Sequence, residues 1–220
     1  MIAAVTATFL LPACPRLKPK VGVRHDDRPG RIDDYFLQEL EPERDEWQLP
    51  DQVIDAIGVG NGDKVAVAWA GAGYFVIPLI QTVGPNGIVY ASDPSDLLLA
   101  RLKGVMGQEG ITNVEFIQSL PDDPELPYAT ADVAMVVNAQ AYIDLPYAFF
   151  DNLRRGMRTG GVVAVIDWRK NGPGWPDRKY RRSKKEIIEM MEGMEFELVA
   201  DYKFLPFQYF LIFKVIERYG

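Results

Sequence analysis

The chain has 220 residues, 48% hydrophobic and 25% charged, the balance of one soluble globular domain, or one domain with an arm. Its net charge of −7 argues against a general nucleic-acid binder. One cysteine, Cys14, and one histidine, His25, exclude an internal disulfide and a His/Cys metal cluster, so no metal site is expected.

The chain divides into an N-terminal arm over 1–34 and a domain over 35–220. The first fourteen residues are apolar, uncharged and too short to span a bilayer. Leu11-Pro12-Ala13-Cys14 resembles the cleavage box of a bacterial lipoprotein, with Cys14 as the lipid anchor, although no Lys or Arg precedes the apolar run. Two readings stay open: an exported, membrane-anchored lipoprotein with a signal segment, or a cytoplasmic protein with an N-terminal arm. Pro15, Pro19 and Pro29 among mixed charges mark a linker. From Tyr35 to Leu49 the pattern becomes aromatic and acidic.

Strand and helix signals then alternate. A helix is predicted over Pro50 to Ile57, stopped by Gly58, and a strand over Lys64 to Ala68. Gly73 to Thr82 reads as a helix, Ile88 to Ser92 as a strand, and Ser95 to Glu109 as a helix closed by Gly110. Strands are expected over Val114 to Gln118 and Val133 to Asn138, and a helix over Pro146 to Met157. Thr159-Gly160-Gly161 leads into a strand over Val162 to Asp167. Ser183 and Glu186 have the spacing of a capping box for a helix reaching about Met194. Glu197 to Leu205 and Gln208 to Ile216 form two closing strands around Pro206.

Val162-Val163-Ala164-Val165-Ile166 and Ala134-Met135-Val136-Val137 are unbroken apolar runs, as expected of central parallel strands covered on both faces. The alternation gives a doubly wound α/β sheet of seven mostly parallel strands, with an antiparallel C-terminal hairpin. No internal repeat is visible in the sequence.

The most informative stretch is Val65-Ala66-Val67-Ala68-Trp69-Ala70-Gly71-Ala72-Gly73-Tyr74-Phe75. A strand, a small-residue turn and a helix make the entry to a nucleotide-type cofactor site. Asp93, ending the next strand, can accept from two vicinal ribose hydroxyls. It can equally serve as a helix N-cap. No third glycine follows Gly73, which weakens a dinucleotide oxidoreductase reading.

This order of elements resembles the class I S-adenosylmethionine (SAM) methyltransferase fold, a Rossmann-like fold, over Trp47 to about Phe213. The first turn resembles the family's motif I. Val89-Tyr90-Ala91-Ser92-Asp93 resembles its second strand, and Thr159-Gly160-Gly161 its Pro-Gly-Gly. Glu43-Arg44-Asp45, Trp47-Gln48, Pro50 and the run Phe204 to Leu211 are similar to bacterial methyltransferase-domain proteins, some of them exported. The resemblance implies SAM as cofactor, held by Ala70, Gly71, Gly73, Asp93, Asp122 and Asn138. Gly71 and Gly73 would form the backbone floor under the methionine part, Asp93 would take the ribose and Asp122 the adenine amine. Asn138 and Tyr142 are the candidates facing a small-molecule acceptor, beneath a cover supplied by 35–48. Asp122 and its neighbour Asp123 can also be plain turn residues.

Two residues depart from the family pattern. Val67 stands where an acid would hold the methionine ammonium, and Trp69 where the first glycine would be. Tryptophan disfavours positive φ, so Trp69 either fills the methionine pocket or turns aside. Two functions follow: a SAM-dependent methyltransferase, or a degenerate methyltransferase fold that binds or scaffolds. Between Arg154 and Lys185 basic residues far outnumber acids. That segment is either a solvated face or a site for an anionic substrate or membrane headgroups.

Overall fold

A computed structural model describes residues 43–174 and 176–216; the N-terminal arm, with Cys14 and its lipidation box, lies outside them. Seven strands form one sheet: β1 Lys64–Ala68, β2 Ile88–Asp93, β3 Val114–Gln118, β4 Ala131–Val137, β5 Met157–Trp168, β6 Phe196–Tyr202 and β7 Gln208–Val215. Their spatial order is β3-β2-β1-β4-β5-β7-β6. β1, β2, β3, β4 and β5 pair in parallel, while β7 runs antiparallel to both β5 and β6. The closing hairpin is thus seated with β7 inside and β6 at the edge.

Described helices are α1 Arg44–Gln48, α2 Pro50–Ile57, α3 Val76–Val83, α4 Asp96–Gln108, α5 Pro146–Gly156 and α6 Lys184–Glu192. The α6 capping box forms as the sequence spacing requires, with Ser183 and Glu186 each bonding the other's backbone. Successive residues of β1 face opposite sides of the sheet. Val65 and Val67 pack with α2, α3 and α4 through Val53, Ile54, Leu79, Val83 and Leu102. Ala66 and Ala68 pack on the other face with Phe149, Phe150 and Leu153 of α5 and Ile187 and Met191 of α6. Both faces being covered explains the unbroken apolar runs.

Two expectations need correction. The helix after β1 begins at Val76, not Gly73, because Gly73 has φ +90° and cannot lie in a right-handed helix. β5 begins at Met157, so Thr159-Gly160-Gly161 lies within the strand as an irregularity opposite β4 rather than as a loop before it. The acidic-aromatic stretch before Pro50 contains a helix, α1, whose Trp47 lies against Trp168 (centroids 4.9 Å apart) and Phe207 (6.1 Å).

Past β5 the chain is held by Arg181. This buried side chain donates to the carbonyls of Arg169 (3.1 Å), Gly172 (2.9 Å), Pro173 (3.3 Å) and Pro176 (2.6 Å), and also to that of Gly174. A guanidinium serves this role because its five N–H groups radiate from a rigid plane. Arg181→Lys keeps the charge but not the fork. It is expected to cost about 1.5–3 kcal/mol in urea unfolding, whereas Arg178→Lys, at the exposed neighbouring 3-10 turn, should be neutral within about 0.5 kcal/mol.

Candidate active site

The strand order reverses between β1 and β4. Ligands of doubly wound sheets bind at the carboxyl ends of the strands beside such a reversal. The turn after β1 takes a glycine-type backbone at alternate residues: Trp69 has φ +61°, Gly71 +57° and Gly73 +90°. For a tryptophan the left-handed region costs about 1–2 kcal/mol. The indole turns onto the ring of Tyr142 (centroids 5.8 Å apart, interplanar angle 25°) and packs with the α5 and α6 side of the sheet. Val67 is buried among the core of the opposite face, so no carboxylate stands at this strand end.

Gly71 donates its N–H to Asp93 Oδ2 (2.8 Å), and Ser95 donates its own to Asp93 Oδ1 (2.8 Å). Asp93 is 2% exposed. The N-cap of α4 is Ser95, whose hydroxyl accepts from Leu98 N–H (3.3 Å). Asp93 is therefore not the cap; it ties the β1 turn to the end of β2. A carboxylate has about four lone-pair sites and accepts from hydroxyl as well as N–H donors. Gly73 is needed for packing as well as for the turn, since a Cβ there would meet Leu102 Cδ1 at 2.4 Å.

Asp122 lies in the turn after β3. Its carbonyl accepts from Asn152 Nδ2 (2.9 Å), while its carboxylate takes no hydrogen bond from a described residue. Asp123 is the turn-forming acid of the pair, accepting Glu125 N–H at 2.8 Å. The structure therefore separates the two acids the sequence left equivalent.

Asn138 follows β4 at φ +56°, and its N–H donates to Ile166 O (2.9 Å). Its side chain belongs to a buried amide network. Gln208 Nε2 donates to Asn138 Oδ1, Asn138 Nδ2 to Gln48 Oε1 (3.5 Å), and Gln48 Nε2 to Gln208 Oε1 (2.7 Å). Arg44 Nε adds a bond to Gln48 Oε1 (3.1 Å), with its guanidinium 3.7 Å above the Tyr74 ring. The network locks α1 onto the ends of β4 and β7. Asn138 is thus engaged in holding α1, and the ring of Tyr142 is engaged with Trp69. The structure brings Trp69, Gly71, Gly73, Asp93, Asn138 and Tyr142 to one edge of the sheet, with Ala70 bonded to Ser92 O (3.0 Å); Asp122 comes from the neighbouring β3 turn.

Sequence reasoning missed Gln48, Gln208, Gln140 and Asp167. Asp167 is wholly buried at the end of β5 and accepts the N–H groups of Gln140 (2.9 Å) and Trp168 (2.7 Å). The signal was an acid closing an apolar strand, the same signal that singled out Asp93. Burial pushes the Asp167 carboxyl up to about 6, against the lowering effect of those two N–H groups and of Arg181 and Arg182.

A carboxyl whose pKa rises on folding makes the folded state hold its proton more tightly. Its contribution is complete below the unfolded value near 4 and is lost as the pH climbs to about 6. We expect the stability difference between the wild type and Asp167→Asn to shrink by about 2 kcal/mol between pH 4 and pH 6.5. Urea midpoints of both proteins across that range measure it; a constant difference would refute the assignment.

Comparisons with known proteins agree with this geometry. The sequence model of the methyltransferase domain family matches residues 69–165. An arsenite methyltransferase of Halobacterium salinarum is 30% identical over 118 residues, which are 53% of this chain and 29% of that protein. The chain thus spans less than a third of that relative's length. Among solved structures, a SAM-dependent methyltransferase from Aquifex aeolicus superposes with a TM-score of 0.80 at 22% identity, over 86% of this chain and 100% of that one. The cyclase SpnF superposes at 0.67 with 13% identity, over 78% of this chain and 81% of that one. Sheet order, strand-end acid and structural likeness define a class I SAM-dependent methyltransferase fold. Residues 69–165 are the part of the chain that is similar to the methyltransferase domain family.

Proposed function

We propose that the protein is a SAM-dependent methyltransferase acting on a small-molecule acceptor. The observation that carries the reading is the Asp93 carboxylate, buried at the end of β2 and bonded to the Gly71 N–H beside the strand reversal. That placement suits a ribose diol: an acceptor-only group held rigid by two backbone donors. The left-handed turn at 69–73 supplies a backbone a ligand can approach, and Asp122 offers a carboxylate to an amine. When bound, SAM would supply a methyl group on a positive sulfur, transferable by in-line displacement.

Positioning is the protein's main contribution to such a reaction. Asp93 fixes the turn and the ribose together. The Trp69–Tyr142 pair walls the edge between β1 and β4. The amide network of Gln48, Asn138 and Gln208 seats α1 over the ends of β4 and β7, which limits water at that edge. Asn138 acts here by positioning α1, and neither it nor Tyr142 is a base at neutral pH.

Calorimetric titration with SAM tests the reading. Wild-type protein should bind, Asp93→Asn should bind at least tenfold more weakly while keeping its far-UV circular dichroism, and Trp69→Gly should bind within about tenfold of wild type, because the backbone already has glycine geometry. A silent wild type together with a binding Trp69→Gly would mean that the indole fills the pocket, and would replace this proposal with the degenerate-fold reading.

A further inference from the structure

A cleft of about 470 Å³ opens at the carboxyl edge of the sheet outside β5, β7 and β6. Arg169, Lys170, Ser183, Lys184, Lys203 and Tyr209 line it. The basic stretch 154–185 turns out not to be one face. Arg154 pairs with Asp151 and Glu195, Arg158 with Asp132, and Lys185 with Glu189. Arg181 and Arg182 are spent on backbone carbonyls. Arg169, Lys170 and Lys184 of the stretch line this cleft, and Lys203, the residue after β6, joins them.

Four cations meet two carboxylates there. Lys170 pairs with Glu186 (3.2 Å), and Lys184 (2.8 Å) and Lys203 share Asp201. Arg169 donates only to neutral acceptors, Pro206 O (2.8 Å) and Leu205 O (2.9 Å). The cleft therefore carries an excess of positive charge, with further N–H donors free on each ammonium. It lies at the N-terminal end of α6, whose dipole favours an anion.

Tyr209 supplies the independent observation. Its residue is 3% exposed, and its hydroxyl has no hydrogen-bond partner among the described residues. Burial, with the Asp167 carboxylate next, pushes that hydroxyl well above its ordinary range, so it stays a donor. A buried hydroxyl without a partner costs about 1–3 kcal/mol, which a ligand oxygen would recover.

We propose that this cleft binds the oxyanion group, a phosphate or a carboxylate, of the methyl acceptor. The acceptor role rests on the transferase reading; the anion site itself does not. β1 and the β5–β7 pair are two to three strand spacings apart, so the anionic group would sit roughly 10–15 Å from the motif I turn. The acceptor is then a small acidic molecule long enough to reach from the cleft to that turn.

The test is titration of the full chain with inorganic phosphate and, separately, with succinate, at constant ionic strength without SAM. Saturable binding of at least one anion is expected, and which of them binds identifies the group. Tyr209→Phe and Lys203→Gln should each weaken it at least threefold. Lys185→Gln removes the same charge from α6 at a side chain 83% exposed and outside the cleft, and should leave it unchanged. Binding of neither anion, or equal weakening by Lys185→Gln, overturns the site. A parallel SAM titration separates the two readings. SAM binding without anion binding sinks this proposal alone, and anion binding without SAM binding keeps the site while removing its acceptor role.

Discussion

Asp93 and Asp167 close β2 and β5, and each accepts two backbone N–H groups. In each case one donor comes from the turn after the adjacent strand: Gly71, three residues past the end of β1, and Gln140, three residues past the end of β4. The likeness extends through the turns. Trp69 and Asn138, each the first residue after its strand, both have positive φ. Gly73 N–H donates to Ala70 O (3.0 Å), and Tyr142 N–H to Ala139 O (2.9 Å). Trp69-Ala70-Gly71-Ala72-Gly73 and Asn138-Ala139-Gln140-Ala141-Tyr142 are thus one turn built twice, on the two strands flanking the reversal. Parallel strands leave backbone donors at their carboxyl ends with no ladder partner, and buried donors must be satisfied. A carboxylate on the neighbouring strand does so twice over, and everything placed at this edge depends on it.

The two copies have diverged in what they offer a ligand. The first keeps two glycines and so presents backbone. The second carries Asn138, Gln140 and Tyr142, side chains that fill space and form bonds. Asn138 tolerates the left-handed conformation because its short polar chain is compatible with it. Trp69 does not, and the strain is offset by its stacking on Tyr142, which joins the first residue of one turn to the last of the other. The residue that departs most from the glycine pattern thus couples the two halves of the edge. Its identity affects the rigidity of both turns, beyond the shape of one pocket.

Much of the fold was legible in the sequence because it rests on local signals. Apolar runs marked β4 and β5, Gly58 and Pro50 bounded α2, and Ser183 with Glu186 set the start of α6. The site was legible only where one residue type implies one geometry, as with glycine in the turn and an acid at the end of β2. The amide network was not, since Gln48 and Gln208 are 160 positions apart and a glutamine carries no positional signature. Gln208 opens a mostly apolar strand, yet nothing local names its partners. The basic stretch misled in the opposite direction: contiguous in sequence, it is divided in space because helix, strand and loop turn its side chains to different neighbours.

That division also bears on how the edge is partitioned. From β3 to β1 the carboxyl ends present carboxylates and backbone, with Asp122, Asp93 and the glycine turn. From β5 to β6 they present cations, with Arg169, Lys184 and Lys203. A cationic cofactor sulfur and an anionic acceptor would each be drawn to the half of opposite sign. The amide network and the Trp69–Tyr142 pair stand between the two halves and carry no formal charge except at Arg44. A neutral divider lets both fields persist at close range, where a charged residue on β4 would favour one ligand at the cost of the other. Asparagine at position 138 fits that requirement: it keeps the hydrogen bonds that seat α1 and adds no charge to the divider.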